Sequence, residues 1–200
     1  MSHQVNGTGR QESAGERARW PRAVAVAVAE EIRAVLAPYC SRVMVAGSLR
    51  RGRADVGDVE LVYVSRFENR QVPGDMFSWA NVALAEEAIA GLESRGVLTR
   101  RKNVRGYETY GPKNKLMAHR ATGVPVDLFA TTEGCWWNYL VCRTGPAESN
   151  IRIAQAAQRR GWQWNPYGVG FSTGEAMYPV ESEEEVFRFV GLPYLEPEKR

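Results

Sequence analysis

Apolar residues near the start of the chain recur at the spacing of a helix. Val28, Ile32 and Val35 would share one face of a helix over residues 21–36, and Pro21 suits its first turn. We therefore predict a buried helix there. Because Ala and Val alternate strictly in the first half of this segment, a strand is the weaker alternative.

Short β-branched runs bounded by glycine predict strands in the middle of the chain. The predicted strands are 42–46, 59–64, 124–129 and a pair within 100–120 that is separated by Gly106 and by Gly111-Pro112. Helical patterns recur at 76–92, after a loop at 67–74, and at 133–141, 147–160 and 183–189. Asp75 is the expected N-cap of the first of these helices.

The two ends of the chain differ in pattern from its middle. Residues 1–18 are polar and rich in glycine, which predicts a disordered tail. The final segment, about forty residues by its patterning, combines two short aromatic strands with the helix over 183–189. We expect this segment to form a separate small lobe.

Composition narrows the class of protein only in part. With 200 residues, 44% of them hydrophobic, the chain can bury a core as one compact domain or a domain with a small lobe. A net charge of +3 suits an anionic partner without requiring one. The three cysteines follow no metal-ligand spacing, and the chain contains neither a secretion signal nor a membrane-spanning run, so we expect a cytoplasmic protein, or one in the host cytoplasm if viral.

The candidate chemistry begins with two acidic residues. Asp58 and Glu60 are two positions apart at the start of a predicted strand, so their side chains would point the same way. Two carboxylates in that arrangement suit Mg²⁺, which prefers oxygen ligands. A solvated strand edge is the alternative explanation.

A third acidic residue stands inside another predicted strand. Asp127 is flanked by apolar residues within 124–129, and a buried carboxylate is costly unless it is paired or bound to a metal. A third metal ligand and an ion pair with an arginine would each account for it.

A glycine-serine turn precedes the acidic pair. Gly47 and Ser48 open a short helical segment, whose backbone N–H groups suit phosphate oxygens, and Arg51 adds a charged donor. The sequence thus predicts a phosphate site beside the metal site.

Four motifs together resemble the family X DNA polymerases of the nucleotidyltransferase superfamily. They are GSLRRG at 47–52, GDVEL at 57–61, VDLF at 126–129 and the stretch 144–150, and the resemblance covers about 19–200. It implies an α+β fold, with a palm of mixed β-sheet backed by helices over 19–140 and a small α+β thumb lobe over 141–200. Residues 1–18 would remain a disordered tail.

The resemblance also implies roles for single residues. Asp58, Glu60 and Asp127 would hold two Mg²⁺ ions, for which Mn²⁺ can substitute, and would carry catalysis. The nucleotide-binding residues implied are Gly47, Ser48 and Arg51 at the triphosphate, Gly57 beside it, Arg19 at a phosphate and Asn150 at the base.

Three features depart from the family's pattern. Glu60 replaces the usual aspartate, so its longer side chain must shift the position of either the metal or the strand. Cys142 and Arg143 stand where the family has an aromatic pair under the incoming sugar, which leaves the choice of sugar open. No lyase segment precedes Arg19, so we expect no lyase activity.

Basic residues are the candidates for DNA contact, although a charge-rich hairpin is often only a solvated face. The predicted DNA-binding residues are Arg101, Lys102, Arg105, Lys113, Lys115 and Arg152. Tryptophans such as Trp136 and Trp164 more often pack in a core than stack on bases.

These observations predict a monomeric DNA polymerase that adds dNMP from dNTP to a primer 3′-hydroxyl. Its DNA would be a primer-template or a gap, as in repair. The alternatives are a nucleotidyltransferase for RNA or another acceptor, a template-independent terminal transferase, and a binding module that has lost catalysis.

Overall fold

The computed structural model describes residues 18–200, so the predicted tail over 1–18 lies outside the described residues except for Ala18. The helices are α1 (Arg22–Leu36), α2 (Gly47–Arg50), α3 (Leu84–Ser94), α4 (Trp136–Thr144), α5 (Ala147–Gln158) and α6 (Glu183–Phe189). The strands are β1 (Trp20–Pro21), β2 (Cys40–Val45), β3 (Asp55–Val56), β4 (Val59–Ser65), β5 (Phe67–Gln71), β6 (Trp79–Ala83), β7 (Leu98–Arg100), β8 (Asn114–His119), β9 (Pro125–Ala130), β10 (Gln163–Trp164), β11 (Gly170–Thr173) and β12 (Ala176–Pro179). The mixture confirms the predicted α+β class.

A five-stranded mixed sheet forms the centre of the larger lobe. Its strand order is β2-β4-β9-β8-β7, and β4 and β9 run parallel while the other neighbours are antiparallel. The parallel pair requires a long crossover between Ser65 and Pro125. This topology brings two distant segments side by side in the middle of the sheet.

Both faces of the central strands are covered. Leu61 on β4 and Leu128 on β9 pack into the core beneath α1 and α3, whereas Val62 and Phe129, one residue further along, pack with Trp136 of α4. Successive side chains of a strand point to opposite faces. A side chain on the same face as Val62 and Phe129 therefore lies on the α4 side of the sheet.

The helix predicted over 76–92 is wrong in its first half. Residues 67–83 form the antiparallel hairpin of β5 and β6, and α3 begins only at Leu84. Asp75 does not cap a helix; its carboxylate accepts hydrogen bonds from Phe77 N and Ser78 Oγ in the hairpin turn. The apolar residues of 76–82 suited a helix by spacing, but cross-strand pairing with 67–71 decided their structure.

The smaller C-terminal lobe packs α5, α6 and a three-stranded sheet of β10, β11 and β12 around Phe171 and Val186. Two of its strands were expected from the sequence and three are present. The proposed boundary between residues 140 and 141 falls inside α4, where Leu140 packs on the palm sheet and Val141 on the C-terminal core. The division at that boundary stays a prediction.

One smaller expectation is confirmed, because Trp136 and Trp164 are buried in cores. The three cysteines are free thiols. Among the helices of the described chain, none combines the length and apolar character needed to span a membrane.

Candidate active site

The parallel strands β4 and β9 bring together carboxylates from distant parts of the sequence. Glu60 is the direct register partner of Asp127, and Asp58 stands immediately before β4. Alternation along the strands places Glu60 and Asp127 on the α4 side of the sheet. Because β4 is a central strand and both Asp58 and Glu60 are half-buried, the alternative of a solvated strand edge is excluded.

Burial and mutual repulsion act on these carboxyl groups. Burial raises the pKa of Glu60 to about 8, and the negative charges of Asp58 and Asp127 add to the rise. Burial likewise raises the pKa of Asp127 to about 6, although Arg101 opposes the rise. A bound cation would relieve this repulsion.

Asp127 already has a positively charged partner. Arg101 forms an ion pair through Nη2 with Asp127 Oδ1, and its Nε donates to the carbonyl of Met117 at 3.1 Å. The guanidinium of Arg101 is engaged inside the site in this conformation, and its predicted contact with DNA phosphate stays a prediction. Of the two explanations for Asp127 that the sequence left open, the ion pair is the contact present.

The three carboxylates suit a divalent cation by donor chemistry but are not gathered around one point. Among residues 18–200, no three His, Cys, Asp or Glu side chains form a ready metal-binding group. Hard oxygen donors at the end of a strand match Mg²⁺. Because Arg101 engages Asp127 Oδ1, a metal bound by all three carboxylates would either displace Arg101 or use Asp127 Oδ2.

The backbone of Gly47 packs closely against the side-chain carboxylate of Glu60. Its φ of +61° favours glycine, and a Cβ built there would lie 2.2 Å from Glu60 Oε2. The longer arm of Glu60, which departs from the family's aspartate, thus fits against a residue with no side chain. The glycine predicted to hold phosphate also determines where this carboxylate lies.

The predicted phosphate site is formed by α2 and the residue after it. The short helix α2 begins at Gly47 as expected, and Ser48 is half-buried. Arg51 donates through Nη1 to the carbonyl of Thr144, while its buried Nε has no hydrogen-bond partner. Burial lowers the pKa of Arg51, with Arg53 acting in the same direction and Glu60 against it.

An ion-pair network beside this site was missed in the sequence. Glu183 of the C-terminal lobe accepts from Arg50 at 2.5 Å and from Arg200 at 2.6 Å. Arg50 also donates to Thr144 Oγ1 at 2.7 Å. Because Arg50 and Glu183 are 133 residues apart, no local pattern signalled the contact. The network ties the two lobes together next to Arg51.

The remaining nucleotide-binding candidates have identifiable positions. Asn150 donates to the carbonyl of Cys142 at 2.8 Å, and its Oδ1 is buried without a hydrogen-bond partner. Arg19 is exposed and donates to the carbonyl of Asp55 at 2.5 Å, which holds it beside β3. Gly57 lines a cleft of about 470 Å³ together with Asp58 and Asp127.

The predicted DNA-binding residues differ in exposure. Lys102 and Arg105 are exposed on the loop between β7 and β8 that borders the cleft, and Lys113 and Arg152 are exposed elsewhere. Lys115 is 1% exposed. Its Nζ is bonded to Glu86 at 2.6 Å and to the carbonyl of Gly111 at 2.9 Å. The prediction of Lys115 as a DNA contact is wrong, because its position on the inner face of β8 buries it.

Comparison with known proteins adds to this description. Residues 139–200 match the family model "DNA polymerase beta thumb". A solved structure of Leishmania infantum polymerase beta, a ternary P/T complex, matches with a TM-score of 0.68 at 19% identity, over 92% of this chain and 77% of that one. No curated protein sequence matches significantly. The chain therefore has a fold similar to that of polymerase beta, and its residues 139–200 are similar to the DNA polymerase beta thumb.

Proposed function

We propose that this protein is a DNA polymerase that adds dNMP from dNTP to a primer 3′-hydroxyl, acting as a monomer in gap filling or repair. The observation that carries the proposal is the register of Glu60 against Asp127 on the parallel strand pair, with Asp58 just before β4 and beside an open cleft. The thumb match and a neighbour solved as a ternary P/T complex support DNA and dNTP as substrates.

In this proposal Asp58, Glu60 and Asp127 hold two Mg²⁺ ions, or Mn²⁺ in their place. When bound, such ions supply Lewis acidity at the primer hydroxyl and neutralise charge on the leaving pyrophosphate. When Arg101 releases Asp127, the Asp127 carboxylate becomes available to the metal. Asp127 also accepts or relays the proton of the primer hydroxyl.

The remaining side chains bind and orient the nucleotide. Ser48, Arg51 and the backbone of Gly47 hold the triphosphate, with Gly57 beside it and Arg19 at an outer phosphate. Asn150, whose Oδ1 lacks a partner, contacts the base. These contacts restrict the reacting atoms to an in-line arrangement, which is the main way proteins accelerate phosphoryl transfer.

The test is extension of a labelled DNA primer, alone and on gapped or recessed templates, with each dNTP and Mg²⁺ or Mn²⁺. We expect template-matched addition that Asp127→Ala abolishes. Equal addition by Asp127→Ala, or no addition to any DNA, would refute the proposal.

One observation favours a second candidate, a nucleotidyltransferase for RNA or another acceptor, or a template-independent terminal transferase. By the resemblance in sequence, Cys142 and Arg143 stand where the family has an aromatic pair under the incoming sugar, and the guanidinium of Arg143 lies 3.6 Å from the centre of the Phe129 ring. A cation there does not screen a 2′-hydroxyl as an aromatic ring would. Repeating the assay with rNTPs, RNA primers and single strands distinguishes the two candidates.

A further inference from the structure

A second cavity lies where β9 ends and α4 begins, and we call it the junction pocket. Its volume is about 760 Å³, within the ~300–1,000 Å³ typical of small-molecule sites. Neither Asp58 nor Asp127 lines it. The residues that define it here are Lys113, Asn114, Thr131, Tyr139, Arg143 and Tyr167.

The wall of the junction pocket favours a negatively charged ligand. Lys113 and Arg143 are both cationic, and none of the described residues that line the cavity carries a carboxylate. The hydroxyl of Thr131 and the amide of Asn114 add hydrogen-bond donors. Two cations with neutral donors and no competing anion form the kind of surface that binds phosphate.

Aromatic rings hold the guanidinium of Arg143 in place, but one of its hydrogen-bond donors has no partner. Its guanidinium stacks on Phe129 at 3.6 Å, lies within 5.5 Å of the rings of Tyr139 and Tyr167, and donates through Nη2 to Tyr139 Oη at 3.3 Å. Its Nε is buried and has no hydrogen-bond partner. A buried donor without a partner is unusual in a folded protein, so the hydrogen-bonding capacity of Arg143 is incompletely used.

The pocket also presents an aromatic surface. Tyr167 is 60% exposed, and its ring packs edge-on against Tyr139 at 5.6 Å. An exposed ring beside cations suits a planar base attached to a phosphate. The volume accommodates one nucleotide rather than a folded macromolecule.

We propose that the junction pocket binds a nucleoside phosphate, either free or as one unit of a single strand, at a site that adjoins the proposed incoming-nucleotide site at Arg143 but is lined by neither Ser48 nor Arg51. The phosphate lies between Lys113 and Arg143, and the base stacks on Tyr167. The proposal concerns binding alone, so it holds whether or not the chain extends primers.

Calorimetric titration of the full chain with dAMP in EDTA tests the proposal, because no metal is then available to support triphosphate binding. We expect one equivalent of dAMP to bind and the affinity to fall about tenfold or more in Lys113→Ala and in Tyr167→Ala. Two further variants serve as controls. Lys102→Ala removes a lysine outside the pocket, and Ser48→Ala alters the predicted triphosphate site. Neither is expected to change dAMP affinity.

Absence of dAMP binding at millimolar concentration would overturn the proposal. So would binding that Ser48→Ala abolishes and Lys113→Ala preserves, since the ligand would then occupy the triphosphate site. A short oligothymidylate separates the two sources of the ligand. Binding tighter than dAMP and weakened by the same two variants assigns the pocket to a strand, whereas weaker binding assigns it to free nucleotide. Primer extension by the same variants reports separately on the proposed polymerase activity.

Discussion

Arg101 and Asp127 form an ion pair that spans strand β8 of the central sheet. Arg101 follows β7 and reaches over β8 to the carboxylate on β9. The pair compensates a buried charge, and it also occupies the carboxylate proposed as a metal ligand. We therefore expect Arg101 and a divalent cation to compete for Asp127.

Removing Arg101 should strengthen metal binding. Charged hydrogen bonds contribute about 1.5–3 kcal/mol, so we expect Arg101→Ala to bind Mn²⁺ about tenfold more tightly or better. Calorimetry with Mn²⁺ measures the change. Lys102→Ala removes a neighbouring exposed charge that lies outside this ion pair and should leave the affinity nearly unchanged. If both variants change the Mn²⁺ affinity equally, the cause would be the loss of a nearby positive charge and not the loss of the Arg101–Asp127 ion pair.

A methyl group at Gly47 should displace Glu60. Because the Cβ would lie 2.2 Å from Glu60 Oε2 at a φ of +61°, we expect Gly47→Ala to lose about 1–3 kcal/mol of unfolding free energy from backbone strain. We also expect roughly 100-fold slower extension from the misplaced carboxylate. Urea unfolding and single-turnover extension measure the two effects. Gly111→Ala, whose Cβ meets nothing within 4 Å, is the matched control.

The raised pKa of Glu60 predicts a pH dependence for the metal-free protein. The pKa lies at about 8 in the folded state against an ordinary 4.5, so the folded chain holds a proton that the unfolded chain releases. The unfolding free energy should therefore fall as pH rises between about 4.5 and 8. Glu60→Gln should reduce this slope, while Asp127, with its own raised pKa, retains part of it.

Urea unfolding in EDTA across this pH range measures the slope. Glu175→Gln, a change at an exposed carboxylate, should keep the wild-type slope. A Glu60→Gln slope equal to that of the wild type would show that Glu60 is ionised in the folded protein.

Breaking the network at Glu183 should destabilise the chain. Glu183→Ala leaves Arg50 and the buried Arg200 without their carboxylate, and removing one partner of a buried pair costs about 3–5 kcal/mol. Glu184→Ala changes the exposed neighbour and should stay within about 0.5 kcal/mol of wild type. Urea unfolding distinguishes the two, and similar values for both would contradict the predicted role.

The salt dependence of DNA binding should separate the basic residues by exposure. Each phosphate contact contributes about 0.9 to the slope of log K against log salt. Lys102→Ala combined with Arg105→Ala should reduce that slope by about 2 if each contacts one phosphate. Lys115→Met should not change the slope, because Lys115 is buried against Glu86. Fluorescence anisotropy with labelled primer-template measures the slope for the wild type, the double variant and Lys115→Met. A reduced slope for Lys115→Met would contradict the structural role of Lys115.

Local patterns predicted much of this fold because their causes are local. The helix over 21–36 and the strand beginning at Val59 follow from the spacing of apolar residues, and both are present in the structure. The segment 76–82 was predicted as a helix because its spacing suited one. Its pairing with 67–71 across a turn is a non-local contact that spacing does not encode.

The sequence by itself determined the acidic positions of the candidate site, since two-residue spacing and a buried strand are properties of short segments. Only the tertiary structure decided which charges meet. It paired Arg101 with Asp127, buried Lys115 against Glu86 and seated Glu60 against Gly47. The physical reason is that the partner of a charged side chain depends on how distant strands pack, and composition alone records only that the charge is present.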